Sequence, residues 1–468
     1  MPPQKIRALT RGRQIHEFQR KCRFRHSGCA RRRHRSSQCA YKKIGWRLLP
    51  ILLLSYMIAF LDRVNVGYAQ LGMKKTLPWD NEVYALGAGM FFVGYLIFEV
   101  PSNLLLAKIG ARKTMLRIML LWGACAAGMM FVETPMQFYV VRFILGACEA
   151  GFFPGVILYF TYWYPSVRRG QVIAIFMSAT AIISVLAGPI SGATLKYMDG
   201  LNGWHGWQWL FLTQGIPAVI LGALVYLCLD DKPDQAKWLT DAEKNLVRYN
   251  LEMDVGNNGA HGGHSFGQVL RDPKVYVFAA SYFILLGCAY TIIFYMPTLI
   301  QSWGVKDVLH VGLLAAIPNV FGVIGMILIG RNSDRTGERR FHYFTCVALA
   351  AIGMGITTLT IGNLTGSLLA LCIATIGMTG ATPLFWTAAT EYLPKASAAG
   401  GIAFVSSLGA IGPSVFPSIN AAITKSTGSP TAGIYAVMVA YFFCGTLLVL
   451  VVGKRKAGFV PGPKVAVH

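Results

Sequence analysis

The sequence is short of charged residues, and of acidic residues above all. Only 13 % of its 468 residues are Asp, Glu, Lys or Arg, whereas soluble domains carry about 25 %. That shortage excludes an ordinary water-soluble domain. The charges are also unbalanced, with 20 acids against 43 bases. Fifteen of the bases fall within 1–47, and the others lie mostly between apolar runs, so the excess does not predict nucleic-acid binding.

The sequence also lacks the motifs of enzymes and metal proteins. It contains no H-E-x-x-H and no P-loop, and it leaves no room for the nucleotide domain of an ATP-driven pump. The Cys and His residues between 22 and 39 match no zinc spacing. The N-terminus is too basic for too long to be a cleaved signal peptide. We therefore expect no catalytic residues, no metal and no cofactor.

Long apolar runs dominate the remainder, and the mean hydropathy is +0.49. Crossing ~30 Å of hydrocarbon at ~1.5 Å per residue takes about 20 residues. Backbone groups in lipid must be satisfied internally, which favours helices for runs of this length. Twelve runs qualify, at about 48–68, 84–106, 114–132, 137–163, 171–195, 207–229, 275–300, 308–330, 342–362, 366–391, 398–424 and 431–453.

The Lys and Arg residues outside the runs are distributed unevenly between the two sides of the membrane. The loops after even-numbered runs and the C-terminal tail hold 21 of them, and the loops of the other side hold 5. Because basic loops stay in the cytoplasm, both termini are expected there. The compact loops are typical of a multi-pass protein of a bacterial inner membrane.

Short repeats indicate two halves. Gly110 corresponds to Gly337, Pro165 to Pro394 and Gly188 to Gly412, all at offsets between 224 and 229. This order predicts an all-α protein of two pseudo-symmetric six-helix bundles. The predicted parts are a disordered basic cytoplasmic segment at 1–47, bundles at 48–229 and 275–453, a cytoplasmic linker at 230–274 and a cytoplasmic tail at 454–468. The linker is expected to contain an amphipathic helix. The alternative for residues 1–43 is that the true start codon lies downstream and that they are not translated.

Five charged residues lie well inside the runs, all in the first half: Asp62, Arg63, Glu99, Arg142 and Glu149. A charge at the bilayer centre costs at least ~2.5–3.5 kcal/mol, so each is a candidate functional residue. Glu99 lies near the cytoplasmic end of its run, where it can pair with loop bases. We expect a gating or structural role for it.

The spacing of the other four predicts an anion site. Arg142 and Glu149 are seven residues apart, two helical turns, and so share a face. With Arg63 facing the same cavity, two guanidinium groups would bind a carboxylate. Asp62 and Glu149 would be the proton-coupling acids. The alternative is structural, with Asp62–Arg63 as a permanent ion pair and Arg142–Glu149 as a packing bridge.

The second half offers no buried charge, only polar and aromatic candidates for substrate contact. They are Tyr290, Trp386, Thr387 and Ser406. In helices this rich in aromatic residues, packing or lipid contact is the alternative for each of them.

Two motifs carry a family resemblance that covers about 45–455. The loop after the eighth run fits G-x-x-x-D-R-x-G-x-R, with a counterpart at Gly110 in the first half, and "RFILGACEAGFFPG" fits a helix-4 pattern. The chain thereby resembles the major facilitator superfamily and, more narrowly, its anion:cation symporters, which include bacterial tartrate, phthalate, 4-hydroxyphenylacetate and galactonate transporters. The resemblance implies a monomer, proton and anion roles for Asp62, Arg63, Arg142 and Glu149, and a gating role for Gly110, Gly330, Asp334, Arg335, Gly337 and Arg339.

These observations together predict a secondary transporter that imports a small organic carboxylate with a proton. Its partners would be that anion, the proton and the lipid bilayer. Two alternatives remain open: an uncoupled facilitator or transporter-like sensor of organic anions, and a drug exporter of the same superfamily. Two arginines indicate a carboxylate but do not separate a sugar acid or tartrate from an aromatic acid.

Overall fold

The computed structural model describes residues 4–258, 271–393 and 398–451, with side chains from residue 37 onward. In these ranges the chain is helical, with helices α1 (Gln4–Thr76), α2 (Asn81–Ile109), α3 (Ala111–Gly128), α4 (Pro135–Glu149), α5 (Phe152–Trp163), α6 (Ser166–Tyr197), α7 (Gly206–Cys228), α8 (Asp241–Asn258), α9 (Pro273–Ser302), α10 (Val308–Thr336), α11 (Arg340–Leu359), α12 (Leu364–Tyr392), α13 (Ala398–Gly409), α14 (Gly412–Thr427) and α15 (Pro430–Val451).

Twelve helical segments in these ranges are long and apolar enough to cross a membrane. They coincide with the twelve predicted runs, and the all-α fold class is confirmed. α4 with α5 forms one span, as does α13 with α14, while α8 lies in the linker between the two bundles of six. The predicted tail at 454–468 lies outside the described residues.

The expectation of a disordered segment up to residue 47 is wrong at least from residue 37. Helix α1 continues through this stretch, and Tyr41 and Ile44 are buried. The Lys43 ammonium donates to the Glu243 carboxylate at 3.1 Å. The stretch is amphipathic: its bases at 42–47 suggested disorder, but its apolar residues pack against the rest of the first bundle.

The fourth span, predicted as one continuous helix, is broken directly after Glu149. Ala150 has extended backbone and Gly151 has a φ of +87°, a conformation that favours glycine. Pro154 has no N–H to donate to the Ala150 carbonyl, so the helical ladder cannot run through this point. The break places Glu149 at the C-terminus of α4, deep inside the bundle.

The two ends of the bundle differ in charge and in how the halves meet. We call the end with the α2–α3, α5–α6 and α10–α11 loops the basic end, and the opposite one the far end. Helices α1, α2 and α6 of the first half pack against α9, α14 and α10 of the second. Toward the far end the backbones of α6 and α10 touch: a Cβ on Gly188 would collide with the carbonyl oxygen of Gly312.

Ion pairs reinforce this closure at the far end. The Lys425 ammonium lies 2.5 Å from a Glu82 carboxylate oxygen and 3.3 Å from one of Asp80. Lys196 pairs with Asp307 across α6 and the start of α10. The halves are therefore held together at the far end by backbone contact and by charge.

The linker helix α8 docks on the first half at the basic end, as a capped surface helix. The Thr240 hydroxyl oxygen accepts from the Glu243 backbone N–H at 3.3 Å, and the Glu243 carboxylate accepts from the Thr240 N–H at 2.9 Å. The bond from the Thr240 backbone, with the Lys43 ammonium, holds the pKa of Glu243 below its usual range. Trp238 stacks on Trp163 with ring centroids 5.8 Å apart.

Candidate functional site

A buried ion pair joins the first and fourth spans. The Arg63 guanidinium contacts one Glu149 carboxylate oxygen, with Nε at 2.7 Å and Nη2 at 2.5 Å. The Glu149 side chain is fully buried and that of Arg63 is 12 % exposed. The second carboxylate oxygen of Glu149 has no hydrogen-bond partner. The structure thus pairs Arg63 with Glu149, and not with its neighbour Asp62.

Arg142, the second arginine of the site, is fully buried and incompletely bonded. Its Nε donates to the Gly87 carbonyl at 3.3 Å, while Nη1 and Nη2 have no hydrogen-bond partner. Its guanidinium lies 5.1 Å from the centre of the Phe91 ring, and that of Arg63 lies 5.6 Å from the same ring. Two guanidinium groups therefore flank one aromatic ring, and one of them keeps two free donors.

Asp62 faces away from Arg63, toward α3 and α7. Its carboxylate accepts from Trp122 Nε1 and from Asn65 Nδ2, both at 3.0 Å, and Asn65 donates in turn to the Gln214 side chain at 2.8 Å. Successive helical residues point about 100° apart, so an adjacent acid and base do not share a face. Neither structural pairing considered from the sequence, Asp62–Arg63 or Arg142–Glu149, is the ion pair that forms.

Arg63, Arg142 and Glu149 form what we call the charge cluster. Aromatic residues of α9, in the second half, cover this cluster. Tyr290 is buried, its hydroxyl interacts with Arg63, and its ring meets that of Phe92 edge-on at 4.8 Å. Eight residues, just over two helical turns, toward the basic end, Tyr282 packs against Trp386 of α12, with ring centroids 4.8 Å apart. The structure thus brings Tyr290 into the cluster directly and Trp386 through Tyr282.

For two other residues predicted to contact the substrate, the structure gives no contact with the charge cluster. The Thr387 hydroxyl donates to the Pro383 carbonyl of its own helix at 2.8 Å. Ser406 is exposed on α13. Their substrate-binding roles remain predictions.

Sequence reasoning missed three residues of the site: Tyr56, Tyr95 and Tyr282. The Arg63 guanidinium lies 5.0 Å from the centre of the Tyr95 ring. Tyr56 and Tyr282 lie within electrostatic reach of Tyr290, and Tyr56 also within reach of Arg63. The spacing contained part of this signal, because Tyr56 lies two turns before Arg63 and thus on the same face.

Glu99 belongs to the wall of this site more than to the basic loops. It lies four residues after Tyr95 on α2, and Arg63 is the base within its electrostatic reach. Its backbone carbonyl accepts from the Asn103 side chain at 3.0 Å. The gating role expected for Glu99 remains a prediction.

The predicted gating motifs form local networks at the basic end. Gly110 ends α2 with a φ of +91° against the Asp231 carboxylate, which also accepts from the Arg112 backbone N–H at 2.8 Å. In the second half, Arg339 contacts Asp334 at 2.7 Å and Glu391 at 3.5 Å. Gly337 caps α10 with a φ of +67°, Arg335 is exposed in its last turn, and Gly330 has open space at its Cβ position.

The site can bind an anion through its arginines, and an arginine can exchange one carboxylate partner for another. A guanidinium with two unpaired nitrogens can bind a carboxylate through two parallel hydrogen bonds. A buried carboxylate that shares an arginine with such a site can switch that arginine between two partners. Among the residues that the structure describes, no group of three His, Cys, Asp or Glu side chains could hold a metal ion.

Comparison with known proteins gives a family and relatives. A family model described as Major Facilitator Superfamily matches residues 52–417. The chain is 43 % identical to "Putative metabolite transport protein NicT" of Pseudomonas putida, over 85 % of this chain and 91 % of that one. It is 42 % identical to a "Putative tartrate transporter" of Agrobacterium vitis (87 % and 89 % covered) and 37 % identical to a "Quinolone resistance transporter" of Acinetobacter baumannii (88 % and 94 % covered).

A solved structure shares the fold. The inward open conformation of the xylose transporter XylE from E. coli superposes with a TM-score of 0.68 at 15 % identity, covering 88 % of this chain and 97 % of that one. At that identity the similarity concerns the fold alone, a polytopic bundle of membrane-spanning helices.

Proposed function

This chain belongs to the Major Facilitator Superfamily, and from that premise we propose that it imports a small organic carboxylate by proton symport. It is a multi-pass membrane transporter, as its relatives are. The substrate class, the coupling ion, the monomeric state and the direction of transport are the proposal. The relative named as a tartrate transporter supports the carboxylate class.

The orientation follows from the basic loops. We place the basic end, with both termini, in the cytoplasm of a bacterial inner membrane. The far end is then the outside, where Lys425 and Lys196 hold the halves together. In this proposed orientation, the contacts between the halves close the outer side.

The observation that carries the proposal is the buried guanidinium of Arg142. Its two terminal nitrogens have no hydrogen-bond partner, and buried donors without partners are costly. A substrate carboxylate would supply both missing hydrogen bonds in the fork geometry that arginine favours. A cationic substrate would supply no acceptor for these two donors, and a neutral one would supply a weaker acceptor than a carboxylate.

The Arg63–Glu149 ion pair supports the coupling step. Protonation of Glu149 removes its charge and releases Arg63, which then faces the substrate beside Arg142. Two arginines bind the anion, and Tyr290 of the second half closes on Arg63. Release of substrate and proton on the cytoplasmic side restores the ion pair, and the carrier returns to the outward-facing state.

Uptake into proteoliposomes tests the proposal. An inward proton gradient is imposed, and labelled tartrate, galactonate, phthalate and 4-hydroxyphenylacetate are screened in turn. We expect uphill accumulation of one acid, abolished by a protonophore. Accumulation that is indifferent to the protonophore would replace symport by facilitation, and binding without transport would favour a sensor.

Asp62 calls for a separate prediction, because Trp122 and Asn65 enclose its carboxylate. In Asp62→Asn the amide can accept only one of these two hydrogen bonds and brings a donor that faces another donor. We expect the thermal stability of the protein to fall and both gradient-driven uptake and counterflow to drop about tenfold. Loss of uphill accumulation with normal stability and normal counterflow would instead assign proton coupling to Asp62.

The far-end ion pairs predict a shift in conformation. Lys425→Gln removes the contacts with Asp80 and Glu82, and we expect the outward-facing population to rise about twofold to fivefold, since exposed pairs contribute up to ~1 kcal/mol. Faster amide hydrogen exchange at 76–84 and 420–428 would report it. The charge swap Lys425→Glu with Glu82→Lys should restore the slower exchange; equal exchange in all three proteins contradicts the role.

Drug export is the second candidate, because a relative at 37 % identity is named a quinolone resistance transporter. Quinolones carry a carboxylate, so Arg142 could also serve that substrate class. Everted vesicles separate the candidates: an exporter accumulates norfloxacin in exchange for protons, whereas the proposed importer does not.

A further inference from the structure

A cavity lies between the two halves on the far-end side of the charge cluster. Its volume is about 50 Å³, room for roughly three to five water molecules at 10–15 Å³ each. Helices α1 and α2 form one wall, and α9 and α14 form the other. Gln70 of this wall lies two turns beyond Arg63, about 10.5 Å along the α1 axis.

An aromatic layer separates the cavity from the charge cluster. Tyr290 and Phe294 have ring centroids 5.6 Å apart, and Phe92 of the first half lies 4.8 Å from Tyr290 and 6.5 Å from Phe294. Phe294 also lines the cavity. A small acid held by the arginines therefore does not extend into this space, which makes the cavity a distinct site.

The residues that line the cavity are uncharged, and several of them are polar. Gln70 Nε2 donates to Asn81 Oδ1 at 3.0 Å, which leaves the Gln70 oxygen as an acceptor and the Asn81 amide as a donor. The hydroxyls of Thr291 and Thr424 donate to carbonyls of their own helices and keep their oxygens as acceptors. The first-half wall thus offers a donor and an acceptor, the second-half wall offers two acceptors, and none of these groups is charged.

Like Asn420, whose buried Oδ1 also has no hydrogen-bond partner, Tyr84 lacks a partner there. It is 3 % exposed, and its buried hydroxyl makes no hydrogen bond. The rings of Trp79 and Phe138, at 5.8 and 6.1 Å, fix its orientation. A buried hydroxyl without a partner is costly, and a ligand hydroxyl would satisfy it.

We infer that this cavity is a second binding site, for a small uncharged polyol with about three hydroxyl groups. A hydroxyl both donates and accepts, which matches the mixed groups of the walls, while the absence of charged side chains among the lining residues disfavours an organic anion. Because the occupant touches both halves, it stabilises the closed far end. This site is independent of the one proposed for the carboxylate.

Glycerol is the probe for this site, and the full chain in detergent is the sample. Saturation-transfer difference NMR measures the Kd in solutions otherwise free of glycerol. We expect saturable binding that Tyr84→Phe weakens about threefold to tenfold, the effect of one hydrogen bond. Thr424→Val should weaken it too, as a second variant of unchanged shape. Tyr197→Phe, at an exposed tyrosine of the far end, is the matched control and should match the wild type.

Two further results locate the binding. Arg142→Lys and excess tartrate should both leave glycerol binding unchanged, so failure of the carboxylate proposal does not affect this one. Displacement of glycerol by tartrate would move the binding to the charge cluster and overturn the inference. Unsaturable signal, or an equal Kd in wild type, Tyr84→Phe and Thr424→Val, would mean that the cavity holds water only.

Discussion

Arg142→Lys is expected to lower the initial rate of carboxylate uptake about tenfold to a hundredfold without unfolding the protein. Lysine keeps the positive charge but loses the planar fork with its two unpartnered nitrogens. One hydrogen bond to a charged group contributes about 1.5–3 kcal/mol, and 1.4 kcal/mol is a factor of ten. The initial rate in proteoliposomes at subsaturating substrate measures the effect.

The matched control is Arg248→Lys, on the exposed linker helix. Arg248 pairs with Asp234 at 2.6 Å, and both side chains are 53 % exposed, so the substitution should leave uptake unchanged. If Arg142→Lys transports as well as Arg248→Lys, then Arg142 needs only its charge and the fork does not hold the carboxylate. A wild-type KM with a reduced maximal rate would move its role from binding to the conformational step.

Glu149→Gln is expected to abolish uphill accumulation while preserving exchange of substrate across the membrane. Glutamine is always neutral, so residue 149 no longer holds Arg63 in an ion pair. Arg63 is then always free to bind the substrate. With no proton bound or released there, the gradient no longer drives the cycle. The labelled acid should equilibrate between inside and outside, and counterflow against unlabelled acid should stay within about threefold of the wild type.

Glu243→Gln on α8 is the matched control, because it removes a carboxylate outside the transport path. It should keep gradient-driven accumulation. Continued uphill uptake in Glu149→Gln would transfer the coupling to another acid, with the buried Asp62 and the half-buried Glu99 as candidates. Loss of counterflow as well as accumulation would indicate that the Arg63–Glu149 pair is needed for the carrier to move at all.

The fold was largely predictable because membrane insertion leaves a strong one-dimensional signal. An apolar run of the right length must be a helix, and twelve such runs coincide with the twelve observed spans. Local departures from this pattern could not be predicted from the apolar runs alone. The bases at 42–47 suggested disorder. Helix α1 nevertheless continues through this stretch, and Tyr41 and Ile44 on it are buried.

The site was predictable in its members but not in its pairing. Charges in an apolar run stand out, which identified Arg63, Arg142 and Glu149. Their partners depend on how α1 and α4 cross, and no spacing within one helix contains that. Spacing placed Arg142 and Glu149 on one face, yet Glu149 reaches across to Arg63.

The contact between Gly188 and Gly312 bears on how such carriers diverge. Closure of the far end depends there on two backbones that touch and on the absence of a side chain. The residues around Phe91 that we propose to bind the substrate lie elsewhere and take no part in it. If the arginines bind the substrate as proposed, substitutions around them can change what is carried without altering this contact at the far end. One scaffold can in this way supply carriers for chemically different compounds without a new closure for each.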